Sequence, residues 1–516
     1  MSKDWKWSLK MAQKVDFLMQ CQERTGVQFD AEGAKKLWEY CNTEMQRIEE
    51  EVEPQLPEKD LNKGELAAWT PPTNQFKNAT TKEEKAQADD YGRIPSKVAL
   101  KWFDSIETCP SNHGQFIWVG EKDGLKFQLP HYEPIKTKGP MRLGNQQQLK
   151  DWLMAEGWKP TIWNYRKDKN GKTVRPLEKT SPRFHQNGEL CPNLESLGDT
   201  IELIKPIVRW LSLRNRRSVI WNPDNPSGWL ANARLEKDGR LPAGASSITY
   251  TMRQKHKVVA NIPRVTSTLG KEMRSLFKAR DGMVLVGYDA SSLEAYVKGH
   301  YAYNYQGGKE YFEMITHPDY DEHQATADAW GLEDRQDAKA GNYGLQYNQQ
   351  PPGLAETYKI PLHEAKFRWE AYWEINKPWK LCLDRLERHW ETQNKSSIVC
   401  SVTGYRLKSR SKHSLGSLLV QHTGAIIMDL AGCLMDKWLG CIQYDENNLP
   451  CYIYKGEVIR RVLYYHDEYA FECREGIAQE ILDMGIKSIV KAGEMLNLNV
   501  PLGADGAIGV SWADIH

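Results

Sequence analysis

The spacing of apolar positions changes several times along the chain, and each change marks a different kind of element. Residues 8 to about 52 read as two helical segments around a turn at Thr25-Gly26. From Glu53 to Pro140 the pattern breaks: prolines such as Pro54, Pro71, Pro95 and Pro134 alternate with polar runs. Only short strand-like pieces survive there, Gln115 to Val119 and Leu125 to Leu129, which predicts an inserted or accessory module. Asn145 is placed to cap a helix reaching Glu156, and Thr200 to Ser218 predicts another. Met283 to Tyr288 is a continuous apolar run, the mark of a buried strand, and it ends on Asp289. Val462 to Tyr465 and Tyr469 to Cys473 flank His466-Asp467-Glu468, predicting a tight hairpin with acids at its tip. Helices are predicted over 334–347 and 415–439. The fold class is therefore α+β, with a mainly antiparallel sheet carrying the carboxylates. No repeat of 20 to 50 residues occurs, which excludes a solenoid or propeller.

Composition narrows the class without naming a chemistry. The 516 residues are 40% hydrophobic and 27% charged, with a mean hydropathy of -0.66. That length suggests about three lobes. No unbroken run of about 18 apolar residues occurs, so no membrane span is expected, and the charged, aromatic start lacks a secretory pattern. The ten cysteines are scattered without a C-x-x-C pair, which argues for free thiols in a reducing compartment and against zinc. Net charge is +1, but the basic residues cluster locally. Arg214, Arg216 and Arg217 form one group. Arg253, Lys255, His256 and Lys257 form a second, and Arg406, Lys408, Arg410, Lys412 and His413 a third. Their position around the acidic motifs points to phosphate contacts.

Two features suggest catalysis. Asp289 and Asp467 each end a strand, far apart in sequence. If folding brings them together, their repulsion would call for divalent metal, the basis of a two-metal phosphoryl-transfer site. Arg335, Lys339, Tyr343 and Tyr347 recur every fourth residue, so on a helix they share an arc of roughly 120°. One face then offers two cations for phosphate and two rings for stacking. Gly341 and Gly344 within that helix each lower its propensity by about 1 kcal/mol, which is unusual for a purely structural helix.

These residues carry a family resemblance. Asp289-Ala-Ser-Ser-Leu-Glu294, with His300 beyond, resembles the first polymerase motif of the DNA polymerase I family. Asp321 to Ala327 resembles the segment before the fingers helix, and Arg335 to Tyr347 resembles that nucleotide-binding helix. His466-Asp467-Glu468 resembles the third motif, and Gly404-Tyr405-Arg406 with Gln421 to Ala425 resembles the region holding template and primer. Arg253 with Asn261-Ile262-Pro263 resembles the primer-side minor-groove segment. Gln22 to Gly26, Phe29-Asp30, Trp512 and His516 are similar to the ends of the polymerase domain in short-tailed phage replicative enzymes.

The resemblance implies a right-hand polymerase, viral and replicative, without a 3′–5′ exonuclease domain of its own. Its expected parts are N-terminal helices leading into the thumb (1–52), an insertion (53–140), thumb helices (141–245), palm (246–320), fingers (321–395) and palm again (396–516). It implies that Asp289, Asp467 and the Ala290 carbonyl hold two Mg²⁺, with Mn²⁺ able to substitute. Arg335, Lys339 and His323 would hold the triphosphate, and Glu294 with Tyr347 would exclude a ribose. Tyr343 would sit beside the sugar, and Glu468 would be an auxiliary acid. Arg253, Gln421, His466, Arg406 and His413 would contact DNA. Implied partners are primer-template DNA, dNTPs, a separate exonuclease, a helicase-primase, a single-stranded DNA-binding protein and a processivity factor on 53–140, whose Trp69, Trp102 and Trp118 are expected to be exposed. The setting would be the cytoplasm of an infected bacterium. The sequence departs from the family at Tyr296, Asn348 and Ser417, and in a shortened segment after Arg253. A single-subunit RNA polymerase and an inactive DNA-binding subunit are the alternatives; Glu294 and Tyr347 oppose the first, the retained aspartates, Arg335 and Lys339 the second.

Overall fold

A computed structural model describes residues 5–61, 63–110, 116–169, 171, 173–174, 178–186, 188–346, 348–409 and 411–515. The chain divides into two compact units. One comprises Met1–Asn42, Asn187–Glu189 and Ser212–His516; the other comprises Thr43–Gln186 and Leu190–Leu211. Within the first unit, Met11, Val15 and Met19 of the first helix are buried in one core with Val286 and Tyr288, and Trp229 and Leu241 share another with Phe277.

The first helix, Trp5–Thr25, buries Met11, Val15, Leu18 and Met19, which share one face at helical spacing. It stops at Gly26, whose φ of +66° suits glycine and where a β-carbon would lie 2.8 Å from the Leu241 carbonyl.

The centre of this unit is a six-stranded antiparallel sheet. Its order is Gln443–Tyr444, Pro450–Tyr454, Glu457–Tyr465, Glu468–Cys473, Val284–Ala290 and Ala504–Gly509. The strand Val284–Ala290 is apolar up to Asp289 because both its faces are covered. Val286, Tyr288 and Ala290 join the core shared with the helix Leu415–Leu439, and Leu285 joins the core of Trp512 and Ile515. The helix Leu415–Leu439 is apolar nearly all round, as a helix enclosed by protein must be. Among the described residues, the stretch Lys412–Leu439 alone is long and apolar enough to cross a membrane, and 89% of that window is buried inside the protein. The absence of an unbroken apolar run did not anticipate it. All ten cysteines are free thiols.

Two sequence expectations are corrected here. The first basic cluster is partly internal bracing: Arg216 is buried and donates to the Gly188 carbonyl (2.6 Å) and the Thr268 carbonyl (3.3 Å). Arg217 donates to Asn42 Oδ1 at 2.9 Å. Gly341 of the Arg335–Gln346 helix is a packing requirement: a β-carbon there would lie 2.5 Å from the Trp330 ring.

In the other unit, Ser105–Pro110, Phe116–Lys122 and Leu125–Gln128 form an antiparallel meander; Gln115 lies outside the described residues. Its small core is Ala99, Phe103, Trp118 and Leu129. Trp118 is therefore buried, not exposed, and its Nε1 donates to the Arg93 carbonyl at 3.3 Å. Trp69 and Trp102 are half-buried beneath Lys136 and Lys122. Among the described residues of 53–140, the exposed tyrosines are Tyr91 and Tyr132. Asn145 caps the helix Gln146–Ala155 as expected, its Oδ1 accepting from the Gln148 amide at 3.4 Å.

Candidate active site

The Asp289 strand end and the Asp467 turn adjoin through their backbones at one end of the sheet's central strand pair. Val284–Ala290 and Glu468–Cys473 pair with Asp289 opposite Glu468, and the Ala290 amide donates to the Asp467 carbonyl at 3.3 Å. The hairpin that presents Asp467 turns in two residues, His466 and Asp467, between Tyr465 and its partner Glu468. His466 takes a φ of +59° to close it.

Register adds a carboxylate that the motif reading missed. Asp289 is opposite Asp505 on its other side, in the strand Ala504–Gly509. Directly opposed residues share a face, so Glu468, Asp289 and Asp505 form a row of acids there. Asp505 is exposed and accepts from Ser291 Oγ. Its sequence setting, Gly503-Ala-Asp-Gly-Ala507, has neither strand propensity nor alternation to announce it. Glu468 has a different neighbourhood from the one expected of an acid beside metals. It is buried, and its Oε1 accepts from Trp512 Nε1 at 2.6 Å. Arg274 lies over the Trp512 ring at 4.3 Å.

Among the described residues no group of three His, Cys, Asp or Glu side chains forms a ready metal cage. The donors at the junction of the two strands are nonetheless all hard oxygens: Asp289, Asp467 and the carbonyls beside them. Magnesium commonly binds through one or two carboxylates and takes its remaining ligands from water and phosphates. The residues present therefore fit such an ion.

The predicted phosphate face is partly assembled. The helix Arg335–Gln346 packs on Glu322–Trp330 through buried Asn342, whose Nδ2 donates to the Glu322 carbonyl (3.0 Å) and Thr326 Oγ1 (2.8 Å). That contact sets the helix beside His323, close enough for both Arg335 and Lys339 to act on its charge. Burial above all lowers the His323 pKa, with Glu322 opposing the shift and Arg335 adding to it. Arg335 is held by Asp321, the acid capping the His323 helix, and that hydrogen bond lowers the Asp321 pKa. Tyr343 belongs to this helix by its backbone; Tyr347 lies outside the described residues.

The predicted DNA contacts have partners of their own. Arg253 forms an ion pair with Glu294 at 3.0 Å, which joins two residues given separate roles by sequence. Gln421 is half-buried on the central helix, while His466 is exposed. Arg406 donates to Gln393 Oε1 (3.1 Å) and Ser397 Oγ (3.2 Å), and His413 Nδ1 lies 3.1 Å from the Asn348 carbonyl. Arg410 lies outside the described residues, and Lys412 is paired with Glu387.

Residues 194–514 match the family model of DNA polymerase family A. DNA polymerase I of Aquifex aeolicus is 26% identical over 330 residues, covering 60% of this chain and 51% of that protein. A DNA-directed DNA polymerase of Escherichia phage Phieco32 is 23% identical over 372 residues, covering 56% and 57%. The chain thus spans about half the length of these relatives. The polymerase domain of M. smegmatis Pol1, solved with DNA primer-template and dNTP, has a similar fold. Its TM-score is 0.58 at 17% identity, covering 98% of this chain and 70% of that one.

Proposed function

Because the chain belongs to DNA polymerase family A, we propose that it extends a primer 3′-hydroxyl with deoxynucleoside triphosphates along a DNA template, by two-metal phosphoryl transfer. The observation that carries this reading is the joining of the Asp289 strand end to the Asp467 turn, through the Ala290 amide and the Asp467 carbonyl. The complex of M. smegmatis Pol1 with primer-template and dNTP supports the choice of substrates.

Asp289 and Asp467, with the Ala290 carbonyl, would hold magnesium, for which manganese can substitute. When bound, the two ions supply activation of the primer hydroxyl and neutralise the leaving pyrophosphate. Arg335 and Lys339 bring fixed positive charge to the triphosphate, and neutral His323 donates a hydrogen bond to it; such preorganised groups act most where charge develops. Arg335 reaches that task by leaving Asp321. Glu294, with Tyr347, closes the sugar pocket against a 2′-hydroxyl, and Tyr343 lies beside the sugar. Arg253, Gln421 and His466 follow the primer terminus and minor groove, and Arg406 and His413 the strand backbones; such contacts read duplex shape more than sequence. Glu468, buried against Trp512, acts by holding the strand that carries Asp467.

A replicative role in a phage, with proofreading and processivity supplied by other proteins, is the finer form of this proposal. It rests on the phage-like motifs and the likeness to the Phieco32 enzyme. The test is incorporation on a primed DNA template with Mg²⁺, comparing dNTPs with NTPs and wild type with Asp467→Asn. Incorporation of dNTPs by wild type alone is expected. Equal use of NTPs would favour an RNA polymerase, and duplex binding without incorporation would favour an inactive subunit.

A further inference from the structure

We propose that His256 is a positioning residue for catalysis: its ring accepts the His466 main-chain N–H and thereby fixes the turn that presents Asp467. The inference rests on the polymerase reading and extends it to a residue outside the motifs.

His466 occupies a position that L-residues avoid. A two-residue hairpin loop whose first residue has positive φ normally places glycine there. A side chain in the left-handed region is strained, so His466, with φ at +59°, persists only if its surroundings hold it. Strain of this kind collects at functional sites, where it restricts the backbone to one arrangement.

The support comes from another part of the chain. His256 lies on the short strand Gln254–Lys257, opposite Ala245 of Gly244–Ile248. Its Nε2 accepts the His466 amide at 3.4 Å, a long hydrogen bond. Its ring stands edge-on to His466 with centroids 5.7 Å apart, and 5.3 Å from Tyr465 and 6.1 Å from Tyr464. An accepting Nε2 must be unprotonated, with the ring's hydrogen on Nδ1. Burial pushes the His256 pKa down to about 4, which keeps that acceptor in place. The geometry links two functions as well. Arg253, three residues earlier, is paired with Glu294, so one short segment touches both the sugar-pocket acid and the turn of the metal-binding acid.

Full-length His256→Phe and His256→Gln separate ring from acceptor. Phenylalanine keeps the ring stack without an acceptor; glutamine restores an acceptor oxygen. Hydrogen–deuterium exchange of peptides covering His466 should be about tenfold faster in the phenylalanine variant, and glutamine should recover the protection. In primer extension, His256→Phe should need several-fold more Mg²⁺ for half-maximal rate. Its kcat should fall about tenfold, with primer-template Kd within twofold of wild type. Unchanged exchange at His466 in the phenylalanine variant, or equal loss in both variants, would overturn the proposal. So would a defect confined to primer-template Kd. Wild type that incorporates nothing would sink the polymerase reading instead, while the exchange measurement still judges His256.

Discussion

Trp512→Phe should destabilise the sheet-bearing unit by about 3 kcal/mol, most of it through Glu468. Trp512 and Glu468 are 1% and 4% exposed, and the indole N–H meets the carboxylate at 2.6 Å. A buried hydrogen bond to a charged group is worth about 1.5–3 kcal/mol. Phenylalanine keeps a ring against Phe277 and Tyr465, which lie 5.3 and 5.4 Å away by centroid. It leaves a small void worth about 1 kcal/mol, and it offers Arg274 a poorer π-face. The assay is urea denaturation followed by circular dichroism on wild type, Trp512→Phe, Glu468→Gln and the double variant. Neutralising Glu468 turns a charged bond into an ordinary one, so the cycle should show a coupling of about 1.5 kcal/mol. A coupling under about 0.5 kcal/mol would refute the reasoning: Glu468 would then owe its burial to other groups, and the acid-beside-metal reading would regain ground.

Asp289→Asn and Asp467→Asn should each lower incorporation about a thousandfold, corresponding to about 4 kcal/mol of transition-state stabilisation, with primer-template binding nearly intact. A variant keeping a tenth of wild-type activity would contradict the metal assignment. Tyr343→Phe should raise resistance to dideoxynucleotide termination by one to two decades, since a buried polar group left without a partner costs about 1–3 kcal/mol; equal termination in sequencing-type reactions would remove the sugar-side role. Asp429, buried and bonded to Tyr464, has its pKa pushed up to about 7 by burial. The folded protein thus keeps a proton that the unfolded chain releases near pH 4, and this stabilisation fades as pH rises toward 7. Relative to wild type, Asp429→Asn should gain about 1.4 kcal/mol per pH unit from pH 5 to 7 and level off above; a flat difference in urea midpoints would count against it. Replacing 70–97 should shorten product length per binding event in host extract if the 53–140 module docks a processivity factor, whereas unchanged length would leave it a structural element.

Local chemistry made much of this protein legible in advance. The apolar run before Asp289, the apolar and aromatic runs flanking the His466-Asp467 turn and the capping Asn145 each answer to short-range rules, so strand, hairpin and helix appear where the sequence puts them. The helix Leu415–Leu439 matches residue for residue because apolar residues recur around its whole circumference with few polar interruptions. Charge and exposure were less transparent. Arg216 and Trp118 have surface-like sequence surroundings but are buried, since what decides burial is the partner that arrives from elsewhere in the chain: the Gly188 and Thr268 carbonyls for one, and Phe103 and Leu129 for the other.

The residue types and their order were sufficient by themselves to point to the family and to single out the two aspartates and the cationic helix face as candidates, because motif chemistry is written in short stretches of residues. Only the tertiary structure decided which of those groups meet. It set Asp505 beside Asp289, gave Glu468 to Trp512, paired Arg253 with Glu294 and brought His256 to the His466 amide. Each of these contacts joins residues from separate segments, and strand register, which is fixed by the packing of both sheet faces, leaves no trace in the spacing of either partner.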